Sequence, residues 1–484
     1  MKRKKMFLLL IAMLFAISAA ASCGSGGSGG SGTPTPPITV GSGSGGPDVY
    51  YFEADDGVSG FEIWKTDGTE AGTVMVRDIA AVWGSNPDNF TPFNGEVYFR
   101  ADDGINGNEL WKTDGTVNGT QMVLNINPTN TNNFPGSSSP QGFIVFNGEL
   151  YFAAADGASG RELWKTNGTT QGTVMVKDIN GAGADNSSYP SDFTVFNGEL
   201  YFRADNGING VQLWKTDGTV NGTDIVKYIN PGGLSSPSGF TIFNNELYFS
   251  ASDGVSGLEL WKTDGTENGT VMVKDINIVG VVGVGSNPAG FTVFNGALYF
   301  SAYDGPGMNG IELWKTDGTG AGTVMVKDIN GAGADNSSYP SDFTVFNGAL
   351  YFRADDGANG RELWKTDGTT NGTVMVKDIN TFNESIPLGF TVFNGALYFS
   401  ADDHANGREL WKTDGTTNGT VMLKNINLSV SSDSRPSDFK LLNGALYFFA
   451  DDGVSGNELW KTDGTGDGTV MVKDMCPGGC DGID

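Results

Sequence analysis

A tryptophan recurs nine times in this chain at nearly even spacing. Each copy stands in a variant of the same phrase, E-L-W-K-T-D-G-T, and neighbouring copies are 47 to 53 residues apart. The nine positions are Trp64, Trp111, Trp164, Trp214, Trp261, Trp314, Trp364, Trp411 and Trp460. Repetition at a period near 50 residues indicates a repeat architecture, in which each repeat is one supersecondary unit.

Each repeat is predicted to form four short β-strands. In residues 90–126, runs rich in aromatic and β-branched residues alternate with turn signals, as is typical of strands. The runs are Phe90 to Phe93, Val97 to Ala101, Glu109 to Thr113 and Gln121 to Ile126, which we name strands a, b, c and d. An Asn-Gly pair joins a to b, which is typical of a two-residue hairpin. The fold class is therefore predicted to be all-β, a β-propeller with one repeat per blade.

The number of blades follows from counting strands. Strands b, c and d occur nine times, but strand a occurs eight times, because a Gly/Ser tract precedes the first b strand at Tyr50 to Ala54. Residues 38–40, Ile-Thr-Val, are a candidate for the missing strand, and would close the ring with strands from both chain ends. Residues 172–198 are identical to 322–348, which indicates duplication in units of three repeats and favours nine blades. An eight-bladed ring with a spare repeat, or two smaller rings, are the alternatives.

The nine tryptophans are predicted to pack between blades rather than to bind a ligand. Propeller blades stack face to face, so inward rings contact both neighbours, and each ring buries roughly 150–250 Å². In an antiparallel meander, the b–c loops and the d–a linkers lie on one face of the disc. The a–b and c–d turns lie on the other face. A proline stands three residues before the first strand-a aromatic, or its equivalent, in each of the eight linkers, and proline suits the entry to a strand.

The b–c loops present a repeated carboxylate. The second acidic position of the D-D-G-x-x-G loop is Asp56, Asp103, Asp156, Asp253, Asp304, Asp356, Asp403 and Asp452, with Asn206 in the fourth repeat. A ring of carboxylates predicts a calcium site at one mouth of the disc, because calcium prefers carboxylate and carbonyl oxygens. The alternative is that each Asp caps its own tight turn. The loop lacks the D-x-D-x-D-G spacing of known calcium loops, and calcium is the one cofactor that the sequence suggests.

A glutamate stands two residues before eight of the nine tryptophans. The eight are Glu62, Glu109, Glu162, Glu259, Glu312, Glu362, Glu409 and Glu458. These side chains share the tryptophan side of strand c, where an unpaired buried charge would be costly. We expect each carboxylate to accept hydrogen bonds from a neighbouring blade.

The first residues are predicted to be an export signal. In residues 1–22, basic residues 2–5 precede an apolar run from Met6 to Ala21, as in a signal peptide. The run ends in A-A-S-C, which resembles a bacterial lipobox, so Cys23 is the predicted lipidation site and membrane anchor. An ordinary secretory signal with an incidental cysteine is the alternative. We expect a location in the bacterial cell envelope, as an outer-membrane or cell-surface lipoprotein.

Two short segments flank the predicted propeller of residues 48–475. Residues 23–47 are rich in Gly, Ser and Pro and form a predicted tether. Residues 476–484 form a short tail that contains C-P-G-G-C. In an exported protein Cys476 and Cys480 are predicted to form a disulfide, with a metal pair as the alternative.

The tryptophan phrase resembles the ELWxxDGT repeat of bacterial exported and surface proteins. The resemblance covers residues 48–475, and the departures are Ile63 for Leu, Asn167 for Asp and Gln212 for Glu. It implies a propeller fold and export. It implies no shared activity that can be carried over residue by residue.

Composition narrows the range of functions. The net charge of -27 argues against nucleic acid as a partner, because few cations are available for phosphates. The chain has one histidine, His404, and shows no phosphate loop, zinc spacing or nucleophile elbow. The sequence therefore favours a non-enzymatic lipoprotein that binds a glycan or protein ligand through its loop face. A structural matrix protein and a glycan-active envelope enzyme are the alternatives.

Overall fold

The strands form nine separate antiparallel sheets arranged as a nine-bladed β-propeller. The computed structural model describes residues 48–483 except 132–133, 182, 184–185, 279–282, 332–335, 430 and 479–480. Within these residues eight sheets have four strands in chain order, and the first sheet has three. The nine-bladed prediction is confirmed, and the eight-bladed and two-ring alternatives are wrong.

The inner two strands of each blade are a and b. The a strands are β4 (Asp88–Phe93), β10 (Gln141–Phe146), β14 (Ser191–Phe196), β18 (Ser238–Phe243), β22 (Ala289–Phe294), β26 (Ser341–Phe346), β30 (Leu388–Phe393) and β34 (Ser437–Leu442). The b strands are β1 (Tyr50–Asp55), β5 (Glu96–Asp102), β11 (Glu149–Ala155), β15 (Glu199–Asp205), β19 (Glu246–Ser252), β23 (Ala297–Tyr303), β27 (Ala349–Asp355), β31 (Ala396–Asp402) and β35 (Ala445–Asp451).

The outer two strands are c and d. The c strands are β2 (Phe61–Thr66), β6 (Asn108–Thr113), β12 (Arg161–Thr166), β16 (Val211–Thr216), β20 (Leu258–Thr263), β24 (Ile311–Thr316), β28 (Arg361–Thr366), β32 (Arg408–Thr413) and β36 (Asn457–Thr462). The d strands are β3 (Val74–Arg77), β7 (Gln121–Leu124), β13 (Val174–Lys177), β17 (Asp224–Lys227), β21 (Val271–Lys274), β25 (Val324–Lys327), β29 (Val374–Lys377), β33 (Val421–Lys424) and β37 (Val470–Lys473). A two-stranded ribbon, β8 (Asn130–Thr131) with β9 (Phe134–Pro135), lies in the linker after the second blade.

The a strands lie nearest the axis of the ring. Consecutive a strands contact one another, as β18 contacts β22 and β22 contacts β26, whereas the d strands close the outer edge of each sheet. The a–b hairpins turn at Asn-Gly pairs with positive φ at both residues, for example 51° at Asn94 and 81° at Gly95. Asparagine and glycine adopt this left-handed conformation at low cost, which is why the pair recurs there.

The hydrophobic core lies between blades. One cluster joins Phe146, Tyr151 and Leu163 of the third blade to Phe202 and Trp214 of the fourth. All nine repeat tryptophans are buried, and each belongs to a cluster of this kind. Since each blade buries its apolar faces only against its neighbours, the ring must close to remove them from water.

The first and ninth blades meet through the same contacts that join other blades. The Lys473 ammonium donates a 2.8 Å hydrogen bond to the carbonyl of Thr73 and lies 5.4 Å from the Trp64 ring centroid. Between the sixth and seventh blades, the Lys327 ammonium likewise donates a 2.8 Å hydrogen bond to the Thr373 carbonyl and lies 5.6 Å from the Trp364 ring centroid. Residues 38–40, the candidate for the missing a strand, lie outside the described residues.

Candidate binding face

The b–c loops and the d–a linkers form one continuous surface, which we call the linker face. In the linker to the second blade, the Ser85 N–H donates to the Phe61 carbonyl at 2.8 Å, and the Asp102 N–H donates to the Ser85 carbonyl at 2.9 Å. Ser85 thus joins the start of one strand c to the end of the next strand b. The predicted sharing of one face by these loops is confirmed.

A buried glutamate binds seven of the eight linkers, and an eighth glutamate binds the C-terminal tail. The Glu62 carboxylate is fully buried and accepts hydrogen bonds from the N–H of Ile79 at 2.9 Å and the hydroxyl of Ser85 at 2.6 Å. The other seven glutamates two residues before a tryptophan are also fully buried and bind their own following linker or tail. The donors therefore come from the segment that leads to the next blade.

Burial raises the pKa of these glutamates. Loss of solvation raises the pKa of Glu362 to about 7, against the opposing effect of its hydrogen bonds with Ser385 and Ile379. The pKa of Glu109, Glu162, Glu312, Glu409 and Glu458 is raised to about 7 by the same cause. A repeated, fully buried carboxyl group has no access to a substrate, so its role is to position the linker.

The fourth blade replaces this glutamate with Gln212. Its Nε2 donates to the carbonyls of Asn209 and Gly233, both at 2.8 Å, and its Oε1 accepts from the Ser235 hydroxyl at 2.9 Å. The linker still packs on the blade, although the group beneath it is neutral. A charge at this position is therefore not required for the fold.

The predicted calcium ligands each bind their own turn. Asp56 Oδ1 accepts the N–H of Val58 at 2.9 Å and of Ser59 at 2.7 Å. The counterparts Asp103, Asp156, Asp253, Asp356, Asp403 and Asp452 do the same, and Asp304 binds a longer loop through Asn309 and Gly310. Across the described part of the chain, no three His, Cys, Asp or Glu side chains form a group that could hold a metal. The calcium site stays a prediction that this geometry does not favour.

The residue before each linker proline adopts a left-handed conformation. These eight residues, which we call the pre-proline ring, have φ between 44° and 49°: Asn86, Ser139, Tyr189, Ser236, Asn287, Tyr339, Ile386 and Arg435. Their N–H groups donate to the first residue of the preceding strand c, as Ile386 does to the Arg361 carbonyl at 3.0 Å. This φ is unfavourable for tyrosine, arginine and above all isoleucine, and such strain is concentrated at functional surfaces. The ring directly precedes the innermost strands, on the linker face.

Thirteen large hydrophobic side chains of the described residues are exposed by 60% or more, and eleven of them lie on the linker face; the other two, Val117 at 61% and Val220 at 60%, lie on c–d turns of the opposite face. The eleven, with exposures from 63% to 90%, are Val58, Val82, Trp83, Ile105, Tyr189, Ile208, Val255, Ile278, Phe382, Leu428 and Val454. Trp83 is the one tryptophan of ten that is exposed. The sequence comparison of repeats pointed to these variable loops as a whole. It did not single out the apolar loop tips, because a hydrophobic residue in a tight turn has no periodic signal.

Acidic groups surround these apolar tips. The b–c loops carry the carboxylates of Asp55, Asp56, Asp102, Asp103, Asp156, Asp205, Asp253, Asp304, Asp355, Asp356, Asp402, Asp403, Asp451 and Asp452. Val58, for example, follows Asp56 by two residues and is 90% exposed. A surface that alternates apolar tips with negative charge is complementary to ligands that carry both apolar and cationic groups.

The single histidine lies on this face beside an aromatic ring. The ring centroids of His404 and Phe382 are 5.2 Å apart. The backbone N–H of His404 donates a 2.6 Å hydrogen bond to Asp402 Oδ1. His404 has a φ of 71° in a position where most repeats have glycine. Its ring therefore lies beside the exposed Phe382 ring on the linker face.

The remaining predicted sites fall partly outside the described residues. Cys23 and Cys480 both lie outside, whereas Cys476 is buried and disulfide-bonded. The pairing of Cys476 with Cys480 stays a prediction. No helix in the described ranges is long and apolar enough to cross a bilayer.

Comparison with known proteins identifies similar folds at low similarity. No protein-family model matches the chain, and no curated protein matches it. A puromycin hydrolase structure matches at 13% identity and TM-score 0.38, over 77% of this chain and 59% of that chain. A structure from work on two prolyl endopeptidases matches at 12% and 0.38, over 75% and 54%. A Mycobacterium tuberculosis puromycin-hydrolyzing peptidase matches at 11% and 0.37, over 76% and 58%. The match thus spans little more than half the length of these structures.

These matches contradict the prediction of a non-enzymatic binding or adhesion protein. The similar structures are those of hydrolases and peptidases, at TM-scores of 0.37–0.38. At identities of 11–13% the likeness extends to the fold alone, and it gives this chain no activity. The sequence reasoning was wrong because it took the lack of familiar catalytic motifs as evidence against catalysis.

Proposed function

We propose that the linker face recognises basic peptide segments that also carry apolar side chains. The observation that supports this most directly is the concentration of the eleven most exposed large hydrophobic side chains on one face. Isolated exposed apolar residues are ordinary, but a group of them on one face is typical of an interaction surface. The proposal concerns recognition and makes no claim that the chain lacks catalytic activity.

The charge of the molecule supports a cationic ligand. The net charge is -27, and the carboxylates of the b–c loops lie beside the apolar tips. Such a surface accelerates the approach of a cationic partner and repels an anionic one. A peptide of alternating lysine and leucine residues is the simplest probe that offers both properties.

The test uses Trp83 as an internal reporter. Because the other nine tryptophans are buried, binding at the linker face should change the emission of Trp83 when the lysine–leucine peptide is titrated into the full chain. Replacing Trp83 or Phe382 by alanine should weaken binding roughly tenfold each, as for exposed aromatic anchors, measured by calorimetry because Trp83→Ala removes the reporter. Affinity should fall as salt is raised.

The chain offers matched controls on the opposite face. Val117 and Val220, on c–d turns, are 61% and 60% exposed, so Val117→Ala and Val220→Ala remove exposed apolar surface from that face, as Val58→Ala does from the linker face. These variants should bind the peptide as tightly as the wild type. Equal losses in both sets, or no binding at all, would refute the proposal. Mass spectrometry of the peptide after incubation shows whether binding is followed by cleavage.

The proposed location is the bacterial cell envelope, with an anchor at Cys23. The supporting observations are the basic residues 2–5, the apolar run that follows and the cysteine at its end. Expression in bacteria with radiolabelled palmitate should label the wild type and place it in the membrane fraction. Cys23→Ser should lose the label, whereas Cys476→Ser should retain it. A wild-type chain without label would exclude lipidation.

A further inference from the structure

Two cationic contacts join each blade to the c–d turn of the next blade. We call the contact between consecutive blades a seam and number it by its first blade. In the first contact, the last residue of strand d donates to a threonine carbonyl of the next blade, as Lys327 does to Thr373 at 2.8 Å. In the second, the lysine after the tryptophan donates to a glycine carbonyl of the next c–d turn, as Lys315 does to Gly368 at 2.8 Å. Hydrogen bonds with an ionised donor are roughly twice as strong as neutral ones, so both contacts stabilise the turn side of a seam.

The second seam, between the second and third blades, has neither contact among the described residues. Strand d of the second blade ends in Leu124, which has no donor for the Thr173 carbonyl. The Lys112 ammonium donates to Glu96 at 3.0 Å and not to the Gly168 carbonyl. Each of the other eight seams has both contacts.

Two departures from the repeat account for this difference. Leu124 replaces the lysine or arginine that ends strand d in the other blades, and Asn167 replaces the aspartate of the c–d turn. At the first seam the pKa of the turn residue Asp114 is lowered by its hydrogen bond with Thr116 and also by the charge of Lys65. Asn167 has no charge to attract the lysine of the preceding blade, which stays with the glutamate of its own blade.

The second seam is also the one that water reaches most on its turn side. Thr173 is 5% exposed, whereas its eight counterparts in the other blades are 0% exposed. Trp164, which packs in this seam, is 8% exposed and is the most exposed of the nine repeat tryptophans. The loss of both cationic contacts and the greater exposure thus occur at the same seam.

The linker-face side of the second seam keeps the contacts of the other seams. The Ala155 N–H donates to the Ser138 carbonyl at 3.0 Å, as the Asp205 N–H donates to the Ser188 carbonyl at 2.8 Å at the third seam. The apolar cluster between the blades is also present, and Leu124 packs against it. The two blades therefore remain joined beside the linker.

The sixth seam is a matched reference for the second. At both seams a threonine hydroxyl of the c–d turn donates to a valine carbonyl of strand d, from Thr170 to Val123 at 2.9 Å and from Thr370 to Val326 at 2.8 Å. The sixth seam has both cationic contacts in addition. On the turn side, the two seams therefore differ by those contacts.

We propose that the ring opens at the second seam, where the turn sides of the second and third blades move apart and the linker side acts as the hinge. The least stable contacts of a fold open first, and every other seam must break two charge-assisted hydrogen bonds to open in this way. The closed seam remains the favoured state, because the apolar cluster is buried only when the blades are in contact. Opening exposes the apolar faces of two blades at one defined place in the ring.

Thiol labelling of a buried position of strand d tests this opening. Val123 and Val326 hold the same position at the second and sixth seams and are 5% and 4% exposed. Val123→Cys and Val326→Cys, each made in the full chain, are labelled with a maleimide under native conditions. Peptide mapping separates the new thiol from the native cysteines. Val123→Cys should react roughly tenfold faster, because the reagent reaches the thiol only when the seam opens.

Exchange of the next residue should change the two rates in opposite directions. Leu124→Lys, added to Val123→Cys, restores a donor for the Thr173 carbonyl and should slow labelling about threefold or more. Lys327→Leu, added to Val326→Cys, removes the equivalent donor and should accelerate labelling by a similar factor. Asn167→Asp, added to Val123→Cys, restores the turn charge and should slow labelling independently of Leu124→Lys.

Chemical denaturation of each variant separates seam opening from global unfolding. Equal labelling of Val123→Cys and Val326→Cys would overturn the proposal. A difference in rate that matches the difference in their global stabilities would also overturn it, since the thiols would then react through unfolding of the whole ring. Should Leu124→Lys fail to fold, Lys327→Leu decides the matter, because an unchanged rate in that variant contradicts the role of the cationic contact.

Discussion

Glu362 shows how one residue of the repeat holds its linker in place. Its carboxylate is fully buried and receives the N–H groups of Ile379 and Ser385, both at 2.9 Å, and the Ser385 hydroxyl at 2.6 Å. The same hydroxyl lies 3.5 Å from the Arg361 carbonyl. When this hydroxyl rotates to donate to the carbonyl, its oxygen can accept a hydrogen bond from the O–H of the neutral glutamic acid, so both protonation states can be satisfied.

The stability of the ring should depend on pH through these glutamates. The pKa of Glu362 is about 7 in the folded chain, against an ordinary value of 4.5, and five others behave alike. Between these values the folded chain binds more protons than the unfolded chain, so stability falls as pH rises through this range. The contribution is fully present below pH 4.5. Thermal unfolding should give a lower Tm at about pH 8 than at about pH 5.

Substitution of Glu362 separates charge from hydrogen bonding. Glu362→Gln should reduce the slope of stability against pH, because the group no longer titrates, and Gln212 already fills this place in the fourth blade. Glu362→Ala should destabilise at all pH values by about 1–3 kcal/mol, because buried N–H groups lose their acceptor. A pH slope that is unchanged in Glu362→Gln would exclude this residue as a source. The sequence predicted an acceptor role for this glutamate, but the serine donor lies in a linker of variable length and could not be assigned.

At the scale of the element, the strands were predictable and the linkers were not. The predicted strand from Val97 to Ala101 is β5 (Glu96–Asp102), and the predicted strand from Gln121 to Ile126 is β7 (Gln121–Leu124). Alternating aromatic and β-branched residues determine such strands locally. The left-handed residue before each linker proline has no local signal, because residues before proline usually adopt extended conformations. Contacts with the preceding blade impose it.

Ile386 is the pre-proline residue at which this conformation costs most. Its φ is 44°, a value that asparagine tolerates and a β-branched side chain does not. Ile386→Asn should therefore raise the stability of the full chain by about 1 kcal/mol, as relief of one left-handed residue predicts. Chemical denaturation at neutral pH measures the change. Asn287→Ile, the reverse exchange in the sixth blade, should lower stability by a similar amount, and stabilisation by both exchanges would contradict the strain argument.

At the scale of the molecule, the residues that all repeats share determine the ring, and the proposed function depends on the positions at which the repeats differ. The nine repeats and their duplication in units of three favoured nine blades over eight, and the structure has nine. From the sequence, the ligand-binding surface could be predicted only as one face of the disc and not as particular residues. Its apolar tips, its pre-proline ring and Trp83 occur where the repeats differ, and one sequence of repeats does not indicate which differences contact a ligand.

The most direct test of the account is to map where a basic peptide binds. A lysine–leucine peptide that carries a photoreactive group should cross-link to residues of the linker face, around Trp83, Tyr189 and Phe382. Peptide mapping by mass spectrometry identifies the attachment sites in the full chain. Cross-links concentrated on the b–c loops and d–a linkers are the predicted result. Cross-links concentrated on the c–d turns around Val117 and Val220, or spread evenly over both faces, would contradict it.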